Sequence, residues 1–186
     1  MQEVEVVTRL SLFDGWDGVA KAEVEEGNGG LGMAHVFQIK TKPHGFQRYD
    51  EFIRDQVIGI GWPLIGNLDG ISKDELRERL RNVYHYSGAK LGNALGAIWA
   101  FVHTMEQGDI VLVRHGAWLS IGIIGPYRYV KHLDNDIDGF CHQRSVEWKI
   151  INENVRLYNE KVHETLRSPG VVTKSKYPVH ELQLGI

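Results

Sequence analysis

The sequence of 186 residues contains a single cysteine, Cys141. One thiol cannot close an internal disulfide and cannot build a cysteine zinc cluster, so the chain is expected to suit a reducing cytoplasm. A run of about 18 apolar residues is also missing, and with it any expectation of a membrane-spanning helix. The N-terminal Met-Gln-Glu-Val-Glu lacks the basic and apolar regions of a secretory signal. There is no basic excess either: 21 Lys and Arg stand against 24 Asp and Glu, for a net charge of -3. Tight, sequence-blind binding to nucleic acid needs a basic surface, so that class is disfavoured. A reader that relies on one pocket and a small basic rim is not, and nine histidines add positive charge at mildly acid pH. No Gly-Lys-Ser/Thr phosphate loop occurs, so any nucleotide hydrolysis would belong to another polypeptide or a further part. Cys141 and His142 are adjacent and would point apart on a strand, which leaves no nucleophile–base dyad. No metal or other cofactor is expected.

The hydrophobic fraction of 42% is enough for one core, and the length suits one domain with an extension. Residues 1–32 read as that extension, a hairpin plus linker ending in an acidic and then glycine-rich stretch, and residues 33–186 as the compact unit. His35 to Thr41 alternates as a strand should. Gly45 to Gln56 fits a short helix with Phe46, Tyr49, Phe52 and Ile53 on one side, and Val57 to Trp62 a second strand. Ser72 and Glu75 form a capping box for a helix to about Val83, with Leu76, Leu80 and Val83 as its apolar stripe. Tyr84 to Gly92 reads as a connection and Asn93 as the cap of the next helix, on which Leu95, Ile98, Trp99, Val102 and Met105 recur at helical spacing. Ile110 to Arg114 and Trp118 to Gly125 make a hairpin about His115-Gly116-Ala117. Gln143 to Ile151 is a further strand, Val155 to Leu166 is partly helical, and Val171-Val172 and Val179 to Leu184 are short late pairings. Strands interrupted by two helices and followed by more strands predict an α/β (α+β) fold, a small mixed β-barrel with helices packed on the outside.

The most informative stretch runs from Val57 to Trp148. It holds Gly-Ile-Gly-Trp-Pro at 59–63, Gly-Asp-Ile-Val-Leu-Val at 108–113, Ile-Gly-Ile-Ile-Gly-Pro-Tyr-Arg-Tyr at 121–129 and Arg-Ser-Val-Glu-Trp at 144–148. Together with His-Val-Phe-Gln-Ile-Lys-Thr at 35–41, in this order across roughly residues 33–184, these motifs resemble the PUA-like superfamily and its EVE and YTH-like members. The combination is most similar to the N-terminal readers of McrB-type and Mrr-type modification-dependent restriction systems. The resemblance implies a binding domain without catalytic residues, recognising a methylated or otherwise modified base flipped from DNA, and working with a fused or associated nuclease or NTPase subunit. It places Trp62 where YTH-like domains carry the first tryptophan of their base cage. The loop that supplies a second tryptophan there corresponds to Tyr127–Phe140, which holds Tyr127, Tyr129, His132 and Phe140 but no tryptophan, so the second wall and the preferred base stay open.

On this reading Trp62 stacks on the base; the alternative is a barrel-end core residue. Trp118, beside a hairpin turn, is either a groove wedge or a cover for the barrel. Trp99 and Trp148 read as core. Tyr127 and Tyr129 fall on one side of an extended segment with Arg128 on the other, which suits a second cage wall and a phosphate contact, or an ordinary strand edge. Asn67 and Asp69 could read a base edge, although turn chemistry is the commoner task for such residues. Lys40, Lys42, Arg48, Lys90, Arg114, Arg128 and Arg144 are candidates for a phosphate rim, Lys42 and Arg48 foremost, against the ordinary reading of solvated charges.

Two rival functions remain. Asp138, Glu147 and Lys149 mimic the acidic and lysine pattern of a metal-dependent nuclease. A YTH-like reader of methylated RNA uses the same fold and would prefer single strands.

Overall fold

The computed structural model describes residues 34–186. The expected hairpin and linker over residues 1–32, and Trp16 within them, lie outside the described residues. The rest is a mixed α/β fold built on one curled six-stranded sheet: β1 (Val36–Ile39), β2 (Val57–Ile60), β3 (Ile110–His115), β4 (Trp118–Tyr129), β5 (His142–Asn154) and β6 (Val172–Lys174). Their spatial order is β2-β5-β4-β3-β1-β6, with β1 parallel to β3 and every other pairing antiparallel. Among the described residues no ladder joins β2 to β6, so the small mixed β-fold expected takes the form of a curled half-barrel.

Five helices accompany it: α1 (Tyr49–Arg54), α2 (Lys73–Tyr84), α3 (Gly88–Trp99), α4 (Glu160–Leu166) and α5 (Val179–Leu182). They cover both faces of the sheet, not only an outside. Alternation along the strands explains this. Phe37 and Ile39 of β1, with Val111 and Val113 of β3, go to a core shared with α1, α2 and α3. Val36, Ile110 and Leu112 go to a second core with Val162 and Leu166 of α4 and Leu182 of α5. Central strands covered on both sides need apolar residues at consecutive positions, and Ile110 to Val113 is such a run.

Three local expectations change. In α2, Ser72 does accept a bond from the Glu75 amide at 3.1 Å, but Val83 is exposed and Tyr84 extends the Leu76–Leu80 stripe instead. α3 begins at Gly88 with Ser87 as its N-cap, and Asn93 lies inside the helix. Its glycines suggested a connection, yet the burial of Leu91, Ala94, Leu95 and Ile98 outweighs their poor helix propensity. Residues Val179–Leu182 form a helical turn after Pro178 rather than a strand pairing. The end of α3 widens into a π-helical turn, Ala100–Thr104. None of the described helices is long and apolar enough to cross a membrane.

Candidate functional site

β2 ends at Ile60, and the segment behind it cannot continue as a strand. Trp62 and Leu64 both take left-handed backbone angles, φ 65° and 67°. Side chains with a Cβ rarely adopt that region, at a cost of about 1–2 kcal/mol per residue. Four neighbours hold the segment in place. His142 on β5 donates from Nε2 to the Trp62 carbonyl at 3.2 Å. The Tyr84 hydroxyl, at the end of α2, donates to the Pro63 carbonyl at 2.6 Å. The Leu64 amide donates to Asp134 Oδ1. Arg79 of α2 donates to the carbonyls of Ile65 and Asn67, at 2.7 and 2.8 Å. A loop so over-determined presents Trp62 in one orientation.

The Trp62 side chain is half-buried and borders two adjoining hollows. The smaller, about 230 Å³, lies between Lys42, Pro43 and His44 after β1, Gly61, and the tyrosines Tyr84 and Tyr86. The larger, about 540 Å³, runs along α3 past Lys90, Asn93, Gly96 and Ala97 to Pro169–Val172. Trp62, Tyr86 and Val171 border both. Gly61 lets the wall close up, because any Cβ there would lie 2.5 Å from the His44 amide nitrogen. Lys90 places its ammonium 4.2 Å from the Tyr86 ring centre, a cation–π contact at the edge of the larger hollow. No Asp or Glu borders either hollow, so the two lysines set a mildly positive surrounding.

The other expected site residues fall elsewhere. Tyr127 and Tyr129 border neither hollow and brace the Trp62 loop from behind. The Tyr127 hydroxyl lies 2.9 Å from His142 Nδ1, and with Nε2 donating to Trp62 this fixes Nδ1 as the acceptor. Burial holds His142 neutral, lowering its pKa to about 4. Tyr129 donates to Asp134 Oδ2, and burial followed by that carboxylate raises its pKa to about 12. Burial opposes ionisation of Asp134, yet Tyr129, the Leu64 amide and Cys141 together hold it below the usual carboxylate range. Trp118 is 48% exposed at the β3–β4 turn, neither a cage wall nor a cover. Trp148 is half-buried and donates to the Phe52 carbonyl, and Trp99 packs on His103 with ring centres 4.1 Å apart.

Of the expected phosphate contacts, Lys42 and Lys90 do border the hollows. Arg48 is engaged by Glu51 at 2.6 Å and Asp138 at 3.1 Å, so its charge is already matched. Arg128 bonds Gln143 at 2.7 Å and borders a separate hollow of about 430 Å³. Arg114 bonds the Gly116 carbonyl of its own turn. Lys40 reaches the Leu166 carbonyl, and burial, then Arg114, lowers its pKa. Arg144 is only 4% exposed and donates to the carbonyls of Phe101, Val102, Met105 and Gly125 at 2.7–3.1 Å. It closes the end of the π turn and is not part of a rim. Asn67 accepts from the Asp69 amide at 3.1 Å, which is turn chemistry.

The nuclease constellation does not assemble: Glu147 pairs with Lys149 at exposed positions of β5, while Asp138 pairs with Arg48. Among the described residues no three His, Cys, Asp or Glu side chains form a metal-holding group. Burial, then Asp134, pushes the Cys141 thiol up to about 12, which removes it as a nucleophile near neutral pH.

All elements bordering the two hollows, from Lys42 to Val172, fall within residues 38–173. That span matches the family model described as "Domain of unknown function (DUF8426)". The chain belongs to the DUF8426 family. No curated protein and no solved structure matches it. Within this DUF8426 domain the sequence reading missed Tyr84, Tyr86, Asp134 and the bracing role of His142. The tyrosine pair flanking His85 and the glycines four apart on α3 were the only signals available for the second side of the cleft.

Proposed function

We propose that this DUF8426 protein is a non-catalytic reader of a modified base in DNA, which it takes out of the helix and stacks against Trp62. One observation carries the reading: an indole held in a strained, four-fold braced loop beside a ligand-sized, acid-free cleft. Strain of this kind is kept where a side chain must be presented in one orientation. Extruding a base costs a few kcal/mol, and stacking on an aromatic side chain returns about 1–3 kcal/mol per base. Lys42 and Lys90, at the borders of the hollows, supply positive charge for the strand's phosphates, and no carboxylate borders the hollows to repel a polyanion. The resemblance to EVE and YTH-like readers supports the same conclusion, with cleavage left to an associated nuclease or NTPase subunit.

The test is a panel of duplexes differing only in the modification of one base, bound at fixed salt. Tighter binding of one modified duplex, lost in Trp62→Ala, is the expected result. Equal affinity across the panel overturns the proposal. Stronger binding of single-stranded methylated RNA than of any duplex transfers the reading to RNA.

A further inference from the structure

The loop that presents Trp62 carries a second strained residue, one whose side chain the cleft does not use. Leu64 takes φ 67°, and Gly66 in the same loop takes φ 70°. Glycine adopts this region freely and leucine does not. Burial does not offset the strain at position 64. Ile65 and Leu68 go into the core, whereas Leu64 stays 50% exposed and borders neither hollow. Its backbone is nevertheless held in place, by Asp134 at its own amide and by the Tyr84 hydroxyl at the preceding carbonyl. Glycine or asparagine would serve the fold better there. A large apolar side chain on strained, braced and exposed backbone points to a task outside the fold.

Base extrusion supplies such a task. A base that leaves the helix leaves a gap, and the bases on either side of it lose a stacking partner. Apolar side chains inserted between base steps occupy positions of this kind. The inserted group must stand close to the one that receives the base. Leu64 is two residues from Trp62, a Cα separation of at most about 7 Å. The two side chains serve different spaces, Trp62 the hollows and Leu64 the solvent. No charged residue occurs from Gln56 to Leu68, so insertion of this segment strips no ion of its own of water. The Asp134 carboxylate that holds the Leu64 amide also accepts from Tyr129 and Cys141.

We propose that Leu64 enters the base stack of the duplex and fills the place of the base that Trp62 receives. This rests on the modified-base reading above and adds to it the residue that pushes the base out and keeps it out. About half of a leucine's burial is still available at Leu64, which corresponds to about fivefold to tenfold in affinity. The test uses the full chain and one DNA sequence carrying 6-methyladenine, 5-methylcytosine or 5-hydroxymethylcytosine at one position. Each is offered as a duplex and as the modified strand alone, where no stack has to be refilled. Leu64→Asn is expected to weaken binding of the preferred modified duplex about fivefold to tenfold, to leave single-strand binding within about twofold, and to unfold at no lower temperature. Leu64→Met, which keeps an apolar side chain of similar volume, is expected to retain duplex binding. Undiminished duplex binding by Leu64→Asn overturns the inference while sparing the reader function. So does an equal loss on duplex and single strand, which would make Leu64 a residue that only shapes the Trp62 loop. Wild-type binding confined to the duplex overturns it too, since Trp62 should hold a freed base without help. Binding that ignores every modification in both forms, and is indifferent to Trp62→Ala, overturns the reader function itself and the inference with it.

Discussion

His142 makes the folded state sensitive to mild acid in a way that can be worked out from its surroundings. The ring is fully buried, donates from Nε2 to the Trp62 carbonyl and receives the Tyr127 hydroxyl at Nδ1. In the unfolded chain an imidazole takes up its proton near pH 6.5, whereas in the folded protein burial delays this to about 4. Between those values the unfolded state binds more protons, so stability is full above pH 6.5, falls as the pH drops, and levels off below 4. The whole difference corresponds to about 3 kcal/mol, of which about 2 kcal/mol is lost by pH 5. His103 is also shifted downward by burial and adds to the wild-type slope, so the informative quantity is a comparison of two proteins. His142→Gln supplies it, since the amide offers one donor to Trp62 and one acceptor to Tyr127 but does not titrate. Urea unfolding followed by circular dichroism at pH 7, 6 and 5 is expected to show wild type losing about 2 kcal/mol more than His142→Gln over this range. Parallel losses in the two proteins would refute a neutral, buried His142 and the bracing role built on it.

Trp62→Gly and Trp62→Ala are each expected to weaken binding of the modified duplex by about tenfold to hundredfold, read by fluorescence anisotropy. The glycine variant should be the more stable of the two by about 1 kcal/mol in thermal unfolding, because only glycine takes φ 65° without strain. Arg144→Met leaves four carbonyls without their donor and should cost about 3–5 kcal/mol in urea unfolding at pH 7. Unchanged stability there would contradict the capping of the π turn. Gly59→Ala drives a methyl into the Phe140 ring and to within 2.8 Å of the His142 carbonyl, so its melting temperature should fall by an amount corresponding to about 1–3 kcal/mol.

Much of the architecture was legible because it follows from local patterns. Alternation located β1, the hairpin turn at His115-Gly116-Ala117 located β3 and β4 to within a few residues, and the Ser72–Glu75 spacing located the start of α2. The failures share one cause. Gly88 and Gly92 looked like loop residues because nothing local reveals that Leu91 and Ala94 will be buried beside Leu95 and Ile98. Arg144 and Arg48 looked like surface cations because a sequence does not show which carbonyls or carboxylates will surround a guanidinium. Tyr127 and Tyr129 were recognised as important, but their hydroxyls reach His142 and Asp134 rather than the cleft, a distinction of direction that strand parity alone does not make.

The sequence by itself determined the mixed α/β class, the succession of most elements, and Trp62 as the aromatic leaving β2, since periodicity and turn chemistry are local properties of the chain. Only the tertiary structure decided that the sheet stays open, that both its faces are covered, and that Tyr84, Tyr86 and the glycine face of α3 meet Trp62 around a cleft. Those outcomes depend on which distant segments share space, and the free energy of burying them together is a property of the assembled fold rather than of any stretch within it.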